Sequence, residues 1–290
     1  MKLMALGLGY SATAALRRLA PKEAIGTTRS AAKAAALAQL ADMRHFDGSR
    51  EAAEALRPAL AGVTHVLVSI APAEGQDGGD RVLPVLGEAL AGENSLVSVA
   101  YLSTVGVYGD HGGAWVDETS DCRPKSARSV ARVKAENEWL AFGERTGVAV
   151  SVLRLSGIYG PGRNALVNLA DGSARRLIKP GQVFNRIHVE DIAAAVERAF
   201  ATGASGLFNI TDDEPAPPQD VVAYAAELMG VPPPPEQDFE TAELSPMARS
   251  FYGENKRVAN GRSKSVLGLA YAYPNYRAAF ARMWAEGSWR

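Results

Sequence analysis

The sequence has few of the residues that build metal centres and disulfides. It contains a single cysteine, Cys122, and four scattered histidines in 290 residues. One cysteine excludes an intrachain disulfide and any multi-cysteine metal site. The histidines, at positions 45, 65, 111 and 188, lack the short spacings of metal ligands. We therefore expect a protein without a metal.

An excess of one charge sign and a long apolar run are also missing. Lysine and arginine together number 31, against 32 aspartates and glutamates, so no overall field favours nucleic acid or an acidic membrane surface as a partner. No stretch approaches the ~18 apolar residues of a membrane-spanning helix. The apolar run at the N terminus is shorter than a secretory signal requires. These absences predict a cytoplasmic protein that binds neither nucleic acid nor membrane.

What the sequence does contain is a glycine-rich turn after its first predicted strand. Lys2 to Leu6 is mostly apolar, which indicates a buried parallel strand. Gly7 permits a tight turn, Gly9 lets the backbone approach a pyrophosphate, and Ala12 is small enough for the next helix to pack close. The pattern predicts a dinucleotide site. The alternative is an ordinary glycine turn of an α/β protein.

The residues after this turn indicate which dinucleotide is bound. A helix from Ser11 to about Ala20 would direct its N-terminal amides toward the phosphates, and we assign Tyr10 to the same site. An NAD site usually has Asp or Glu at the end of the second strand, where it binds the ribose 2′-hydroxyl. Here Thr28 and Arg29 occupy that end. Because a cation suits a 2′-phosphate, we predict NADP rather than NAD.

Strand-like and helix-like segments alternate through the first 155 residues, which predicts a doubly wound parallel sheet with helices on both faces. After residue 155 the pattern loosens and prolines become frequent. We predict an α/β fold of the Rossmann type with a smaller C-terminal substrate domain. The dinucleotide-binding domain comprises 1–155, with 186–203 returning to it, and the smaller domain comprises 156–185 and 204–290.

The predicted elements have the following bounds. Strands are expected at 2–6, 65–70, 96–102 and 148–155, with a further strand ending near residue 47. Helices are expected at 31–40, 51–60, 80–91, 130–144, 189–201 and 220–229.

Several later segments, taken in order, resemble the extended short-chain dehydrogenase/reductase family, which includes nucleotide-sugar epimerases and dehydratases. They lie at 101–109 (YLSTVGVYG), 153–162 (LRLSGIYGPG), 186–193 (RIHVEDIA), 206–215 and 255–277. The resemblance therefore covers nearly the whole chain. It implies hydride transfer between a nicotinamide and a substrate carbon, and a mainly architectural role for the 186–193 segment.

In this family a tyrosine transfers the proton, a lysine four residues later lowers its pKa, and a Ser or Thr hydroxyl orients the substrate oxygen. The resemblance places Thr104 in the hydroxyl role, with Ser103 beside it. The alternative is that Thr104 merely ends a strand.

The helix that should carry the tyrosine and the lysine has no tyrosine. If Lys134 is the family lysine, the tyrosine position is Val130. If Glu136 takes the place of the family's following acid, the pair becomes Arg128 and Arg132. Arg132 or Lys134 would then bind the ribose or a substrate anion, unless they form a solvated basic face. The active site is therefore expected to be an atypical one.

The resemblance also suggests further residues of the site. Asp47 would contact the adenine edge, or else cap a loop. Ser69 and Ala71 would line the cofactor after the fourth strand, and Pro161 lies in the loop on the nicotinamide side. Tyr108 and Tyr159 are the candidates to replace the missing proton donor.

Together these features predict an NADP-binding oxidoreductase, or an epimerase or dehydratase of the sugar-nucleotide type, with a modified active site. The alternative is a non-catalytic NADP-binding sensor, because a protein that only holds the cofactor needs no proton donor. The expected partner is a small-molecule substrate such as a sugar nucleotide or a carbonyl compound. The resemblance also implies a homodimer, on which the sequence itself is silent.

Overall fold

The computed structural model describes residues 1–75 and 78–290. Its strands are β1 (Lys2–Leu6), β2 (Glu23–Thr28), β3 (Asp42–His45), β4 (His65–Val68), β5 (Ser98–Thr104), β6 (Trp115–Val116), β7 (Ala149–Leu155), β8 (Gly157–Tyr159), β9 (Arg176–Ile178), β10 (Arg186–His188), β11 (Gly206–Ile210), β12 (Glu236–Asp238) and β13 (Arg257–Val258). Its helices are α1 (Tyr10–Leu19), α2 (Ala31–Leu37), α3 (Arg50–Leu56), α4 (Leu83–Ala91), α5 (Ala127–Thr146), α6 (Ala165–Ala170), α7 (Val189–Thr202), α8 (Pro218–Met229), α9 (Pro246–Phe251), α10 (Gly261–Val266) and α11 (Tyr276–Glu286).

Seven parallel strands form the central sheet, in the order β11-β7-β5-β4-β1-β2-β3. The chain winds outward from β1 in both directions, so the order reverses between β1 and β4. In an open parallel sheet, ligands bind at the carboxyl ends of the strands beside such a reversal. The predicted Rossmann-type α/β fold is confirmed.

The five strands from β11 to β1 are buried on both faces, which explains why they are mostly apolar. The outer strands β2 and β3 carry polar residues, and β3 is largely exposed. On one face α1 and α7 cover residues such as Leu3 and Leu153. On the other face α3, α4 and α5 contribute a cluster that includes Trp139 and Phe142, both fully buried. The strands expected at 2–6, 65–70, 96–102 and 148–155 agree with β1, β4, β5 and β7 to within two residues at each end, because continuous apolar runs are what two covered faces require.

Two predicted helices differ from the observed ones for local reasons. The helix expected from Asp80 begins at Leu83, because the Asp80 carboxylate accepts hydrogen bonds from the amides of Val82 and Leu83 and so caps the helix. The helix expected over 51–60 ends at Leu56 and continues as a 3₁₀ turn, where Pro58 lacks an amide hydrogen.

The rest of the chain forms short parallel strand pairs, β8 with β10, β9 with β12 and β6 with β13. Helices α6, α8 and α11 pack around a cluster that includes Leu166 and Phe280. Strand β11 falls in the 204–290 segment assigned to the smaller domain, yet it pairs with β7 in the large sheet. The division into two domains otherwise stays a prediction.

The 186–193 segment joins the C-terminal part of the chain to α7. His188 caps α7, since its Nδ1 accepts the Glu190 amide at 3.2 Å, and its ring stacks on Tyr273 at 3.7 Å between centroids. The Asp191 carboxylate accepts the amides of Ala272 and Tyr273. These contacts hold the C-terminal segment against the helix.

Burial lowers the pKa of His188 to about 4, with a smaller contribution from the charge of Arg282. An unfolded imidazole takes up its proton near pH 6.5, so between pH 6.5 and 4 the unfolded chain binds a proton that the folded protein excludes. Stability should fall by on the order of 3 kcal/mol as the pH drops through this window. His188→Asn, which keeps an oxygen for the cap, should flatten this dependence in urea denaturation followed by circular dichroism.

His45→Asn provides the control, because His45 is an exposed residue at the end of β3. It should keep the wild-type dependence on pH. If wild type and His188→Asn lose stability equally between pH 6.5 and 4, buried His188 is not the source of the effect.

Candidate functional site

The glycine turn lies at the carboxyl end of β1, beside the reversal of strand order. Gly7 has φ +88°, and a Cβ there would stand 2.8 Å from the Ile70 side chain. Its amide donates to Thr27 Oγ1 at 2.8 Å, and its carbonyl accepts the Ser69 hydroxyl at 2.5 Å. Glycine is thus required at position 7. Ser69, which was predicted to line the cofactor, holds the turn through its hydrogen bond to the Gly7 carbonyl.

The start of α1 has no side-chain cap. Its N-cap residue is Gly9, and a Cβ there would meet nothing nearer than the Gly7 carbonyl oxygen at 4.0 Å. Serine side chains cap α2, α3 and α5. In the described part of the chain, the amides of Tyr10, Ser11 and Ala12 have no acceptor. Free amides at the positive end of a helix, with open space at Gly9, fit a phosphate group.

Tyr10 and Pro161, both predicted to contact the cofactor, contact each other. The Tyr10 hydroxyl donates to the Pro161 carbonyl at 2.9 Å. A Cβ on Gly160 would stand 2.7 Å from that hydroxyl. This hydrogen bond links the first turn of α1 to the loop after β8.

The end of β2 presents Arg29 to solvent. Among residues 1–75 and 78–290, its guanidinium forms no ion pair, while Thr28 Oγ1 accepts the Ser30 amide. Asp47, after β3, is exposed and accepts the Ser49 amide at 2.8 Å, and its hydrogen bonds with Ser49 hold its pKa below the usual value. This hydrogen bond is the loop cap that we gave as the alternative to an adenine contact. Asp47 also lines a cavity of about 350 Å³ beside α3.

The two adjacent hydroxyls at the end of β5 differ in burial and in hydrogen-bond partner. Thr104 is half-buried, and its Oγ1 accepts the Gly106 amide at 3.1 Å. Ser103 is buried and donates to Glu136 at 2.5 Å. Successive side chains of a strand point to opposite faces. The structure therefore keeps Thr104 near the carboxyl end of the sheet and turns Ser103 into the core.

The two cations predicted on α5 have different surroundings. Arg132 is half-buried, and its guanidinium donates to the Tyr101 hydroxyl at 3.1 Å and to the Leu102 carbonyl at 2.8 Å. Lys134 is exposed, with its Cε 3.2 Å from where a Cβ of Gly79 would stand. Arg132 is thus held against β5, while Lys134 lies along the segment that follows β4, which also contains the exposed Ala71.

A buried ion pair joins α5 to β7. Arg154 and Glu136, only 4% and 2% exposed, are 2.7 Å apart, and the Arg154 guanidinium lies 4.8 Å from the Tyr108 ring centroid. Burial disfavours the charged form of Arg154, but hydrogen bonding and the charge of Glu136 outweigh it, so the pKa of Arg154 is raised. Because Glu136 faces Ser103 and Arg154, it can serve as the family's acid, which favours the register with Arg128 and Arg132.

Neither tyrosine proposed as a replacement donor has an accessible hydroxyl. Tyr108 is fully buried and donates to Asn209 Oδ1 at 2.8 Å, and burial raises its pKa to about 12. The Tyr159 hydroxyl is buried as well, and burial raises its pKa further. Proton donation by either tyrosine remains a prediction without support from the geometry.

Sequence reasoning missed two features of this region. Arg154 interrupts an apolar strand, and a charge inside a buried strand requires a partner, so this signal was available. The other is Ser129, in the first turn of α5, which receives a hydrogen bond from Ser126. Its Oγ and that of Thr104 each lie 3.4 Å from where a Cβ of Gly106 would stand. No spacing in the sequence indicates this proximity.

A separate cavity of about 700 Å³ lies beside β11, at the sheet edge away from the glycine turn, with Leu140 and Val266 among its lining residues. Here Glu118 accepts the Asn209 amide at 2.7 Å, and Arg262 donates to the Leu207 carbonyl at 3.1 Å. The outward backbone groups of this edge strand are thus bound by side chains.

Within residues 1–75 and 78–290, no cluster of three or more His, Cys, Asp or Glu side chains is placed to hold a metal ion. Over the same residues, no helix combines the length and the apolar character needed to cross a bilayer.

A parallel sheet of this order, with a glycine turn and an uncapped helix at its reversal, defines a Rossmann-type α/β protein. Residues 59–211 match the model of the NAD dependent epimerase/dehydratase family. The chain belongs to that family.

Three similar proteins illustrate the range of the resemblance. A structure of a functionally unknown conserved protein from Silicibacter pomeroyi is 47% identical, covers 99% of each chain and superposes with a TM-score of 0.88. The 3-diazoavenalumate denitrifying reductase of a Streptomyces species is 28% identical over 166 residues, 52% of this chain and 53% of the reductase. The chain thus matches about half the length of that relative.

The third is a double mutant of DesIV, a dTDP-glucose 4,6-dehydratase from Streptomyces venezuelae, solved with NAD and DAU bound. It is 17% identical, covers 98% of this chain and 96% of its own, and has a TM-score of 0.78. At this identity the likeness concerns the fold.

Removing the cation of the buried pair should destabilise the protein severely. Arg154→Met keeps the volume but leaves the buried carboxylate of Glu136 without its cation, which costs about 3–5 kcal/mol. Glu54→Gln, which breaks an exposed pair with Arg57, should change stability by no more than about 0.5 kcal/mol. Urea denaturation of the three proteins measures both effects, and equal stability of Arg154→Met and wild type would contradict the assignment.

Proposed function

We propose that the protein is an oxidoreductase that uses a nicotinamide dinucleotide and prefers NADP. One observation carries the proposal: the uncapped start of α1 lies at the reversal of strand order, and an unpaired Arg29 lies at the end of the neighbouring β2. A dinucleotide laid across the carboxyl ends of the strands would place its pyrophosphate at the first feature and its 2′-phosphate near the second.

The roles of the chain's residues follow from this placement. The amides of Tyr10, Ser11 and Ala12 would bind the pyrophosphate, with Gly9 leaving room for it. Arg29 would bind the 2′-phosphate through charge-assisted hydrogen bonds. Along the bound dinucleotide, Asp47 would border the adenine and Pro161 the nicotinamide. Ala71 would border the part of the dinucleotide between them. When bound, the nicotinamide supplies or accepts the hydride.

Two of the similar proteins support a nicotinamide cofactor. The Streptomyces relative is named a reductase, and the dehydratase with the same fold was solved with NAD. Neither supports NADP over NAD, which rests on Arg29 alone. The substrate we propose is a small molecule, a carbonyl compound or a sugar nucleotide, bound between the sheet and the C-terminal part of the chain.

Thr104 is the residue we propose to orient the substrate oxygen. It stands at the carboxyl end of β5 with a hydroxyl that accepts one amide and keeps its own hydrogen to donate. Lys134 or Arg132 would contact the nicotinamide ribose. Of these two, the exposed side chain of Lys134 is freer to bind a ligand, since the Arg132 guanidinium already donates to Tyr101 and Leu102.

Arg29→Gln should weaken NADPH binding by roughly ten- to a hundredfold, the value of a hydrogen-bonded charge, and leave NADH binding unchanged. Fluorescence titration with both cofactors measures this. Arg145→Gln is the control, because Arg145 is exposed in the last turn of α5. It should alter neither affinity. If wild type binds NADH as tightly as NADPH, the role of Arg29 is wrong. If neither binds below millimolar concentration, the proposed function fails.

Thr104→Val should lower the rate of NADPH-dependent reduction of a carbonyl panel by about a hundredfold, because it removes a hydrogen-bond donor to the reacting oxygen. Thr104→Ser should restore most of the rate. Ser103→Ala offers the matched comparison: it should cost about 1–3 kcal/mol of stability, through the lost hydrogen bond to the buried Glu136 carboxylate, and leave the rate near that of wild type. A larger rate loss in Ser103→Ala than in Thr104→Val would contradict this division of roles.

The second candidate function is a non-catalytic NADP-binding sensor. The absence of a tyrosine on α5 and the inaccessible hydroxyls of Tyr108 and Tyr159 favour it. Tight NADPH binding, together with no hydride transfer to any carbonyl and no altered sugar nucleotide by product analysis, would establish the sensor over the enzyme. Product analysis is needed because an epimerase or dehydratase shows no net oxidation of NADPH.

A further inference from the structure

An arginine and an aromatic ring from distant parts of the chain meet at the start of α5. Arg128 lies in the first turn of the helix with its side chain exposed. Its guanidinium carbon is 5.9 Å from the ring centroid of Phe251, the last residue of α9. Phe251 is 51% exposed, so one side of the pair is open to solvent.

The hydrogen-bond donors of Arg128 are unused. Across residues 1–75 and 78–290, its guanidinium has no hydrogen bond and no ion pair. The neighbouring arginines are committed: Arg132 to β5, and Arg154 to Glu136. Within this region, Arg128 thus presents five N–H donors that no described group satisfies.

The position of the pair connects it to the candidate reaction centre. Ser129, the next residue, lies near Thr104 at Gly106: the hydroxyl oxygen of each is 3.4 Å from where a Cβ of Gly106 would stand. The turn of α5 that carries Arg128 therefore abuts the end of β5. In the register set by Glu136, Arg128 also occupies the place of the family tyrosine.

We infer that Arg128 and Phe251 form a subsite for an anionic group of the substrate, a carboxylate or a phosphate. This rests on the proposed function, because the subsite takes its meaning from a reaction centre at Thr104. The substrate would then be an acid rather than a neutral carbonyl compound.

The chemistry of the two side chains suits this ligand. A guanidinium stacked on a ring keeps its edges free, and its planar fork matches the two oxygens of a carboxylate or phosphate. The amino end of the twenty-residue helix α5 adds a positive partial charge. This position therefore offers a positive charge where the family tyrosine would offer a proton.

Three probes test the inference by isothermal titration calorimetry, with and without NADPH: phenylacetate, phenyl phosphate and the neutral phenylacetamide. Wild type should bind at least one of the two anions about tenfold or more tightly than the amide. Arg128→Gln should abolish that preference, Arg128→Lys should retain part of it, and Phe251→Leu should weaken binding of the anion. Arg145→Gln should behave as wild type. The relative affinities of the carboxylate and the phosphate identify which anion the subsite favours.

Equal affinity of wild type for the anions and the amide overturns the inference, as does an unchanged preference in Arg128→Gln or no binding of any probe below about 10 mM. Failure of the proposed function gives a different result: NADPH fails to bind, while the Arg128-dependent preference for anions persists. Circular dichroism of each variant confirms that it is folded, which the exposure of Arg128 and Phe251 leads us to expect.

Discussion

The buried ion pair between Arg154 and Glu136 is the interaction on which the arrangement of α5, β5 and β7 depends. It joins a strand of the large sheet to the helix that, in the family, carries the reactive side chains. It also holds Ser103 and the ring of Tyr108, so the end of β5 and the loop after it are fixed to the same two charges. A buried charge that loses its partner destabilises the protein strongly. The spatial relation between α5 and Thr104 is therefore set from within the core.

Some donors that could bind a negatively charged ligand make no hydrogen bond within the described residues. They are the amides at the uncapped start of α1 and the guanidinium groups of Arg29 and Arg128, the second of which lies over the ring of Phe251. By contrast, serine side chains cap α2, α3 and α5, and the buried Arg154 is paired with Glu136. The proposed function and the anion subsite follow from the donors that are left free.

Most of the fold could be predicted from sequence, because parallel strands buried on both faces are continuous apolar runs and the glycine turn requires a specific backbone. The site was harder. Ser103 and Thr104 are equivalent in sequence, and only the direction of each side chain separates them. The register of α5 depended on what Glu136 contacts, a partner 18 residues away. Helix starts shifted where a carboxylate such as Asp80 capped the backbone, a local competition that periodicity does not reveal.

Strand β11, at one edge of the sheet, affects how copies of this chain can associate. Glu118 and Arg262 already occupy the outward amide and carbonyl of β11 that an incoming strand would need. A second chain would have to displace both side chains before pairing, and natural proteins use charged residues at sheet edges in this way to prevent strand addition. Growth of the sheet from one molecule into the next is thereby opposed at this edge.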